Sequence, residues 1–126
     1  MQDRPTAVEL LRAAREFCEK DLGPQLTGRL RFHTRVLQNV LGILEREWDG
    51  EEAAVRAEWE RLSELLGGQD EIAGSFRELC DRVRTANSTL AARIRAGELD
   101  DELERTADAL QATVVDKLKI ANPNYL

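Results

Sequence analysis

Apolar residues recur every three or four positions along almost the whole chain, which is the spacing of one face of an α-helix. Glycine or proline interrupts this pattern at 23–24, 67–68 and 97, the capping residue Asp49 precedes Gly50, and Asn122 precedes Pro123. We therefore predict helices near residues 6–22, 25–48, 50–66, 70–96 and 101–121. Because no stretch alternates as a strand does and the connections are short, the pattern predicts one all-α domain over residues 1–126, an up-and-down bundle of about five helices.

Polar residues at the expected helix starts support these boundaries. A Thr or Asp followed three residues later by Glu is typical of a capping box, and the pattern occurs at Thr6/Glu9, Asp49/Glu52 and Asp101/Glu104. Asp70 is the expected cap of the fourth helix. Gly23 is expected to end the first helix by adopting a left-handed turn, with Pro24 preventing continuation.

The second predicted helix carries the broadest apolar stripe. Its members are Leu26, Leu30, Leu37, Val40, Leu41, Leu44 and Trp48. A stripe this wide predicts burial against at least two neighbouring helices.

His33, the only histidine, falls within that stripe, three residues after Leu30 and four before Leu37. A buried imidazole needs hydrogen-bond partners, so one interpretation is an internal polar network with Asn39 and Asn87 that fixes helix register. The alternative is that His33 lines a pocket between helices and contacts a ligand there.

Composition agrees with a folded helical domain. Of 126 residues, 42% are hydrophobic and 33% are charged, which is too apolar for intrinsic disorder. The net charge of −6 argues against a general nucleic-acid binder, because duplex binding depends on many phosphate contacts from Lys and Arg. Cys18 and Cys80 are far apart and are expected to be reduced, buried thiols. No apolar run suits a signal peptide or a membrane span, so we expect a cytoplasmic protein without membrane contact.

Charge is unevenly distributed along the chain. Residues 22–44 contain Arg29, Arg31 and Arg35 and no acid, whereas residues 45–72 carry ten acids against three arginines. One interpretation is that neighbouring helices form exposed ion pairs, each worth about 0–1 kcal/mol. The other is an anion-binding or acidic-partner surface around the three arginines, near a helix start whose dipole favours negative charge.

No catalytic or metal motif stands beside these features. One histidine and two distant cysteines fall short of a zinc pattern, and no Glu-Glu-x-x-His pair suits a di-iron bundle. Glycine-rich phosphate loops and a nucleophile elbow are also missing. We therefore expect no catalytic residue, no metal and no cofactor.

Three stretches together resemble a known family: RPTAVELL at 4–11, RLRFHTRV at 29–36 and DKLKIANPNYL at 116–126. The resemblance is to an uncharacterised family of small bacterial helical domains of unknown function. The resemblance implies which genes are neighbours, since such domains tend to be encoded beside, or fused to, aminoglycoside-phosphotransferase-like kinases and acyl-CoA dehydrogenases. It carries over no catalytic residue.

Two functional hypotheses follow. The first is a non-enzymatic accessory or protein-interaction module serving such a phosphotransferase or dehydrogenase, with self-association through a helix face as a compatible variant. The second is a helical bundle that binds a small anion, an acyl-CoA or a nucleotide in a pocket at His33. The candidate ligand-binding residues of the second hypothesis are Arg29, His33, Arg35, Asp116, Lys117, Asn122 and Tyr125.

Overall fold

A computed structural model describes residues 3–68 and 74–126 of the chain. Its four α-helices are α1 (Ala7–Phe17), α2 (Gly28–Leu66), α3 (Phe76–Arg95) and α4 (Leu103–Ala121). A π-helical turn, Cys18–Leu22, follows α1, and short 3₁₀ turns lie at Gly23–Gln25, Asp100–Glu102 and Pro123–Tyr125. No strand occurs in either described range, so the all-helical prediction is confirmed, with four α-helices in place of about five.

Capping residues begin α1 and α3. Thr6 and Glu9 form the predicted capping box, each side chain bonding the backbone amide of the other residue. Helix α3 begins with a second capping box formed by Ser75 and Glu78, whereas the predicted cap Asp70 lies outside the described residues. The expectation for Gly23 is wrong, since Gly23 is right-handed and the left-handed glycine of this connection is Gly28, with φ of 57°.

The predicted break at residues 49–50 is also wrong, because α2 runs through it without interruption. Gly50 keeps a negative φ, and glycine inside a helix costs only about 1 kcal/mol relative to alanine. The helix beyond it is favoured by Glu51, Glu52 and two alanines, and Glu52 pairs with Arg56 one turn later. The two predicted helices 25–48 and 50–66 are therefore one helix of 39 residues.

The chain divides into two compact units, and α2 contributes to both. Unit 1 consists of Met1–Glu51 and Ile120–Asn124, and unit 2 consists of Glu52–Lys119 and Tyr125–Leu126. The single domain and the up-and-down topology are statements about the whole chain, and they stay predictions.

Unit 2 contains the main hydrophobic core. Its buried members are Leu62, Leu65, Leu79, Val83, Ala86, Leu90 and Leu99. These residues come from α2, α3 and the turn before α4, so three segments share one apolar interior.

Unit 1 has far less buried apolar surface. Its buried side chains include Cys18 and Thr34, and α1 contributes no buried residue. Both cysteines are free: Cys18 is buried as predicted, and Cys80, in unit 2, is partly buried. Among the described residues, no helix is both long enough and apolar enough to cross a membrane.

Candidate functional site: an arginine-lined cavity and an exposed apolar helix face

Helices α1 and α2 meet in unit 1 through an ion-pair cluster centred on Glu45. Its two carboxylate oxygens accept hydrogen bonds from Arg12 Nε at 2.7 Å and from Arg15 Nε at 3.1 Å. The bond from Arg12 lowers the pKa of Glu45, desolvation opposes this effect, and the bond from Arg15 lowers the pKa further. Glu45 therefore stays charged and holds Arg15 in place.

Beside this cluster lies a cavity of about 320 Å³ with a basic lining. Its lining residues are Arg15, Glu19, Arg35, Gln38, Asn39, Gly42 and Arg46. Apart from the adjacent Gln38 and Asn39, the α2 members are three to four residues apart, so they form one polar side of the helix, next to α1.

Gly42 makes room for Arg46. A Cβ atom at this position would lie 3.3 Å from Arg46 Nη1 and 3.6 Å from Arg15 Cδ, closer than the arginine nitrogen could accept without moving. Arg46 is also fixed by a hydrogen bond from its Nε to the backbone oxygen of Ile120, at 2.7 Å. The glycine thus lets the Arg46 side chain lie close to the α2 backbone.

A second cavity of about 260 Å³ shares Glu19, Arg35 and Gln38 with the first. Arg31 and Thr34 of α2 complete its wall, together with Gly23 and Pro24. Guanidinium groups bind carboxylates and phosphates with paired hydrogen bonds, so the two adjoining cavities offer a site for a small anion. The Glu19 carboxylate opposes such a ligand, and it lies 3.9 Å from Arg15 Nη1.

The structure places His33 differently from the prediction. The imidazole is exposed, its Nε2 accepts a hydrogen bond from Arg29 Nε at 3.1 Å, and it lines neither of these two cavities. Its ring meets the Phe32 ring edge-on, with centroids 5.6 Å apart. The expected burial of His33 is therefore wrong. Helix α1 packs on the side of α2 that carries Gln38 and Glu45, and the histidine lies on another side.

An exposed apolar surface surrounds His33 instead. We call it the α2 face, and it comprises Leu30, His33, Val36, Leu37, Val40, Leu44 and Trp48. Its apolar side chains are between 42% (Leu44) and 70% (Trp48) exposed. Leu26 and Leu41 of the predicted stripe are partly buried, but its predicted burial is wrong for the other members, Leu30, Leu37, Val40, Leu44 and Trp48. The physical reason is that α2 is contacted in unit 1 on its polar side, by α1 through Glu45 and by Ile120 through Arg46.

Monomeric globular proteins rarely expose a large contiguous apolar patch unless it takes part in an interaction. Surfaces of this kind are often sites where another molecule binds, and this one lies along a single helix. The α2 face is the second candidate site of unit 1.

The candidate residues near the end of the chain fall into both units. Asn122 belongs to unit 1 with Arg29, His33 and Arg35, whereas Asp116, Lys117 and Tyr125 belong to unit 2. Asn122 and Tyr125 are exposed. That the seven residues form one ligand-binding site therefore stays a prediction.

Asp116 and Lys117 hold α4 against α2 within unit 2. Asp116 accepts hydrogen bonds from Arg61 Nη2 at 2.5 Å and from Lys119 Nζ at 2.9 Å. The bond from Arg61 is the main cause of the lowered pKa of Asp116, with a further contribution from Lys119. Lys117 Nζ donates to Glu58 at 2.8 Å. Each side chain therefore already has a protein partner.

Residues 24–125 match the family described as Domain of unknown function (DUF6285). The chain belongs to this family. The match includes the RLRFHTRV block and all but the last residue of DKLKIANPNYL, and it begins after α1 and the π-helical turn. No match was found among curated proteins or among solved structures.

The DUF6285 region also contains a buried polar cluster, centred on Glu58, that was not predicted from the sequence. Glu58 is only 6% exposed and accepts hydrogen bonds from Asn87 Nδ2 and Lys117 Nζ, both at 2.8 Å. A signal was available, because Glu58 stands three residues after Val55 and four before Leu62, within an apolar stripe. A charged residue at such a position predicts a buried partner on a facing helix.

Proposed function

We propose that this DUF6285 domain is a non-enzymatic, protein-binding accessory module of a bacterial cytoplasmic enzyme. The proposed enzyme is a kinase-like phosphotransferase or an acyl-CoA dehydrogenase encoded nearby or fused to the domain. The observation that supports binding is the α2 face, where large apolar side chains lie in water on a regular helix. The choice of enzyme comes from the family resemblance alone.

The size of the α2 face is sufficient for a specific complex. Six half-exposed apolar side chains leave on the order of 600 Å² uncovered, worth about 15 kcal/mol when buried at about 25 cal/mol per Å². Association itself costs about 4–15 kcal/mol in lost freedom of motion. Covering the face can therefore offset that cost, and flanking polar contacts would add to the balance.

Co-purification tests the proposal. The domain, carrying an affinity tag, is expected to retain the neighbouring phosphotransferase or dehydrogenase, and Leu37→Glu is expected to weaken retention at least about tenfold by placing a charge in the buried contact. Leu103→Glu is the matched control, since Leu103 is also exposed but lies on α4 in the other unit. Retention of neither enzyme at micromolar concentration, measured by light scattering of the mixture, would contradict the proposal.

A second candidate function, small-anion binding, is favoured by the arginine-lined cavities. Arg35 lines both of them, and Arg15 and Arg46 line the larger one beside the amide side chains of Gln38 and Asn39. The candidate ligands are small carboxylates or phosphates, including the phosphate portion of an acyl-CoA or a nucleotide. In this version the site lies around Arg35, and His33 stands outside it.

Titration with inorganic pyrophosphate, followed by amide chemical shifts, distinguishes the two versions of this site. Arg35→Ala is expected to weaken binding about tenfold or more through loss of a charge-assisted hydrogen bond. His33→Ala and the exposed control Arg77→Ala are expected to leave it unchanged. If His33→Ala lost binding and Arg35→Ala bound normally, the anion site would lie at His33 and not around Arg35.

A further inference from the structure

We infer that the α2 face is occupied by the same face of a second copy of this chain, with the two α2 helices antiparallel. This inference concerns the same surface as the proposed function but gives it a different occupant, so the two proposals can fail separately. Three features of the α2 face support it: the spacing of its apolar residues, the positions of three charges and the exposed area.

The α2 face has the spacing of a coiled-coil seam. Leu30, Leu37 and Leu44 are seven residues apart, and so are His33, Val40 and Glu47. The two series alternate at three and four residues, which is the heptad arrangement of positions a and d. A partner that fills such a seam is another helix with the same spacing, and an identical chain provides one.

The charges at the two ends of the seam are opposite in sign. Arg29 lies at its beginning, and Glu47 follows after 18 residues, or about five helical turns, so both are on the same side of α2. Glu51 lies one turn beyond Glu47. Within residues 3–68 and 74–126, none of these three side chains forms an ion pair.

These charges decide the direction of the pair. In a parallel pair Arg29 would face the partner's Arg29, and the carboxylates would face each other. In an antiparallel pair Arg29 faces the partner's Glu47 and Glu51 at both ends, so two attractive contacts replace two repulsive ones. Charge complementarity therefore favours an antiparallel arrangement with two-fold symmetry.

The same arrangement fixes the register of the seam. When the two-fold axis passes between residues 38 and 39, Leu37 packs against the partner's Val40 and His33 packs against the partner's Leu44. Leu30 then lies against the aliphatic part of the partner's Glu47. Only the outermost layers contain a carboxylate, where it remains near water and near Arg29. The innermost layers are wholly apolar.

The available area agrees with a stable dimer. The exposed apolar side chains of one α2 face provide on the order of 600 Å², and the His33 ring in the seam and the flanking arginine stem add to this. A standard protein interface buries about 800 Å² on each partner. Two copies of this face therefore approach the size of a specific interface.

Sedimentation equilibrium of the purified full chain, from about 1 to 100 μM, tests the inference. The wild type is expected to dimerise in this range, and the dimer is expected to weaken as salt screens its end charges. Leu37→Glu is expected to be monomeric. Arg29→Glu is expected to raise the dimer dissociation constant about tenfold, since it faces two carboxylates, and Arg29→Glu/Glu47→Arg is expected to recover most of the loss. Arg77→Glu, an equal change of charge on α3, should leave the constant unchanged.

Circular dichroism of each variant checks that the helices persist, so that loss of the dimer is not loss of the fold. A wild-type chain that is monomeric at 100 μM would overturn the second copy as occupant, and so would a dimer unaffected by Leu37→Glu. A dimer that Arg29→Glu leaves unchanged would overturn the antiparallel pairing. If a monomeric chain retained the phosphotransferase or dehydrogenase, this inference would be rejected and the proposed function kept. If a dimer retained neither enzyme, the proposed function would be rejected and this inference kept.

Discussion

Replacing Leu90 with alanine is expected to lower the free energy of unfolding by about 3 kcal/mol or more. Leu90 is only 2% exposed and lies in the unit 2 core with Leu79 and Leu62. Removing its buried carbon atoms loses their transfer free energy and leaves a cavity that the helices close only in part. Urea unfolding followed by circular dichroism at 222 nm measures the change.

Leu103→Ala is the matched control for this prediction. Leu103 is 67% exposed, so its truncation is expected to change the free energy of unfolding by less than about 0.5 kcal/mol. Equal effects of the two substitutions would mean that α3 does not pack through Leu90 and would contradict the core described for unit 2.

Much of the helical content could be predicted from the sequence because its signals are local. Periodicity at three and four residues predicted helix wherever the described residues form an α-helix, apart from the false break inside α2, and the Thr6/Glu9 box placed the start of α1 correctly. Left-handed Gly67 ends α2 as expected. Such signals depend on residues within one or two turns of each other, so they can be recognised without knowledge of the tertiary fold.

The join between the second and third predicted helices could not be predicted in the same way. Asp49 and Gly50 have the form of a cap and a break, yet glycine is only a weak helix breaker when it keeps a negative φ. Whether a helix continues through such a pair depends on the residues on both sides together, and the glutamates and alanines after Gly50 favour continuation.

The candidate site shows the limit of periodicity more clearly. Periodicity grouped Leu30, His33 and Leu37 correctly on one side of α2, but it could not say whether that side faces the protein or the solvent. The side that meets α1 contains Gln38, Gly42 and Glu45. Ion pairs and arginine stems make that contact, so the usual inference from apolar to buried fails in unit 1.

The arginine-lined cavity could not be predicted from periodicity either. Arg35, Asn39, Gly42 and Arg46 are spaced at three and four residues and form a polar stripe as regular as the apolar one. A polar stripe is normally a solvated face, so its spacing alone carries little weight. The informative residue is Gly42, since a glycine in mid-helix has a cost that a close approach of other side chains can explain.

Replacing Glu58 with alanine is expected to lower the free energy of unfolding by about 2 kcal/mol, the second large effect in unit 2. Glu58 lies on α2 and receives hydrogen bonds from Asn87 of α3 and Lys117 of α4. Its loss leaves the part-buried Asn87 amide with only the Val83 backbone oxygen as acceptor. Lys117 is largely exposed and regains water, which keeps the cost below that of breaking a fully buried ion pair.

Two further substitutions separate the charge of Glu58 from its hydrogen bonds. Glu58→Gln keeps an oxygen that can accept from Asn87 and Lys117, so we expect a loss of about 1 kcal/mol, from the weaker neutral bonds. Glu52→Ala removes an exposed glutamate from the same helix, where its pair with Arg56 is worth only a few tenths of a kcal/mol. Urea unfolding of the three variants should therefore rank Glu58→Ala as the most destabilised and Glu52→Ala as the least. A Glu58→Ala variant as stable as Glu52→Ala would show that this carboxylate does not join α2 to α3 and α4, because only a carboxylate already in water can be removed at so small a cost.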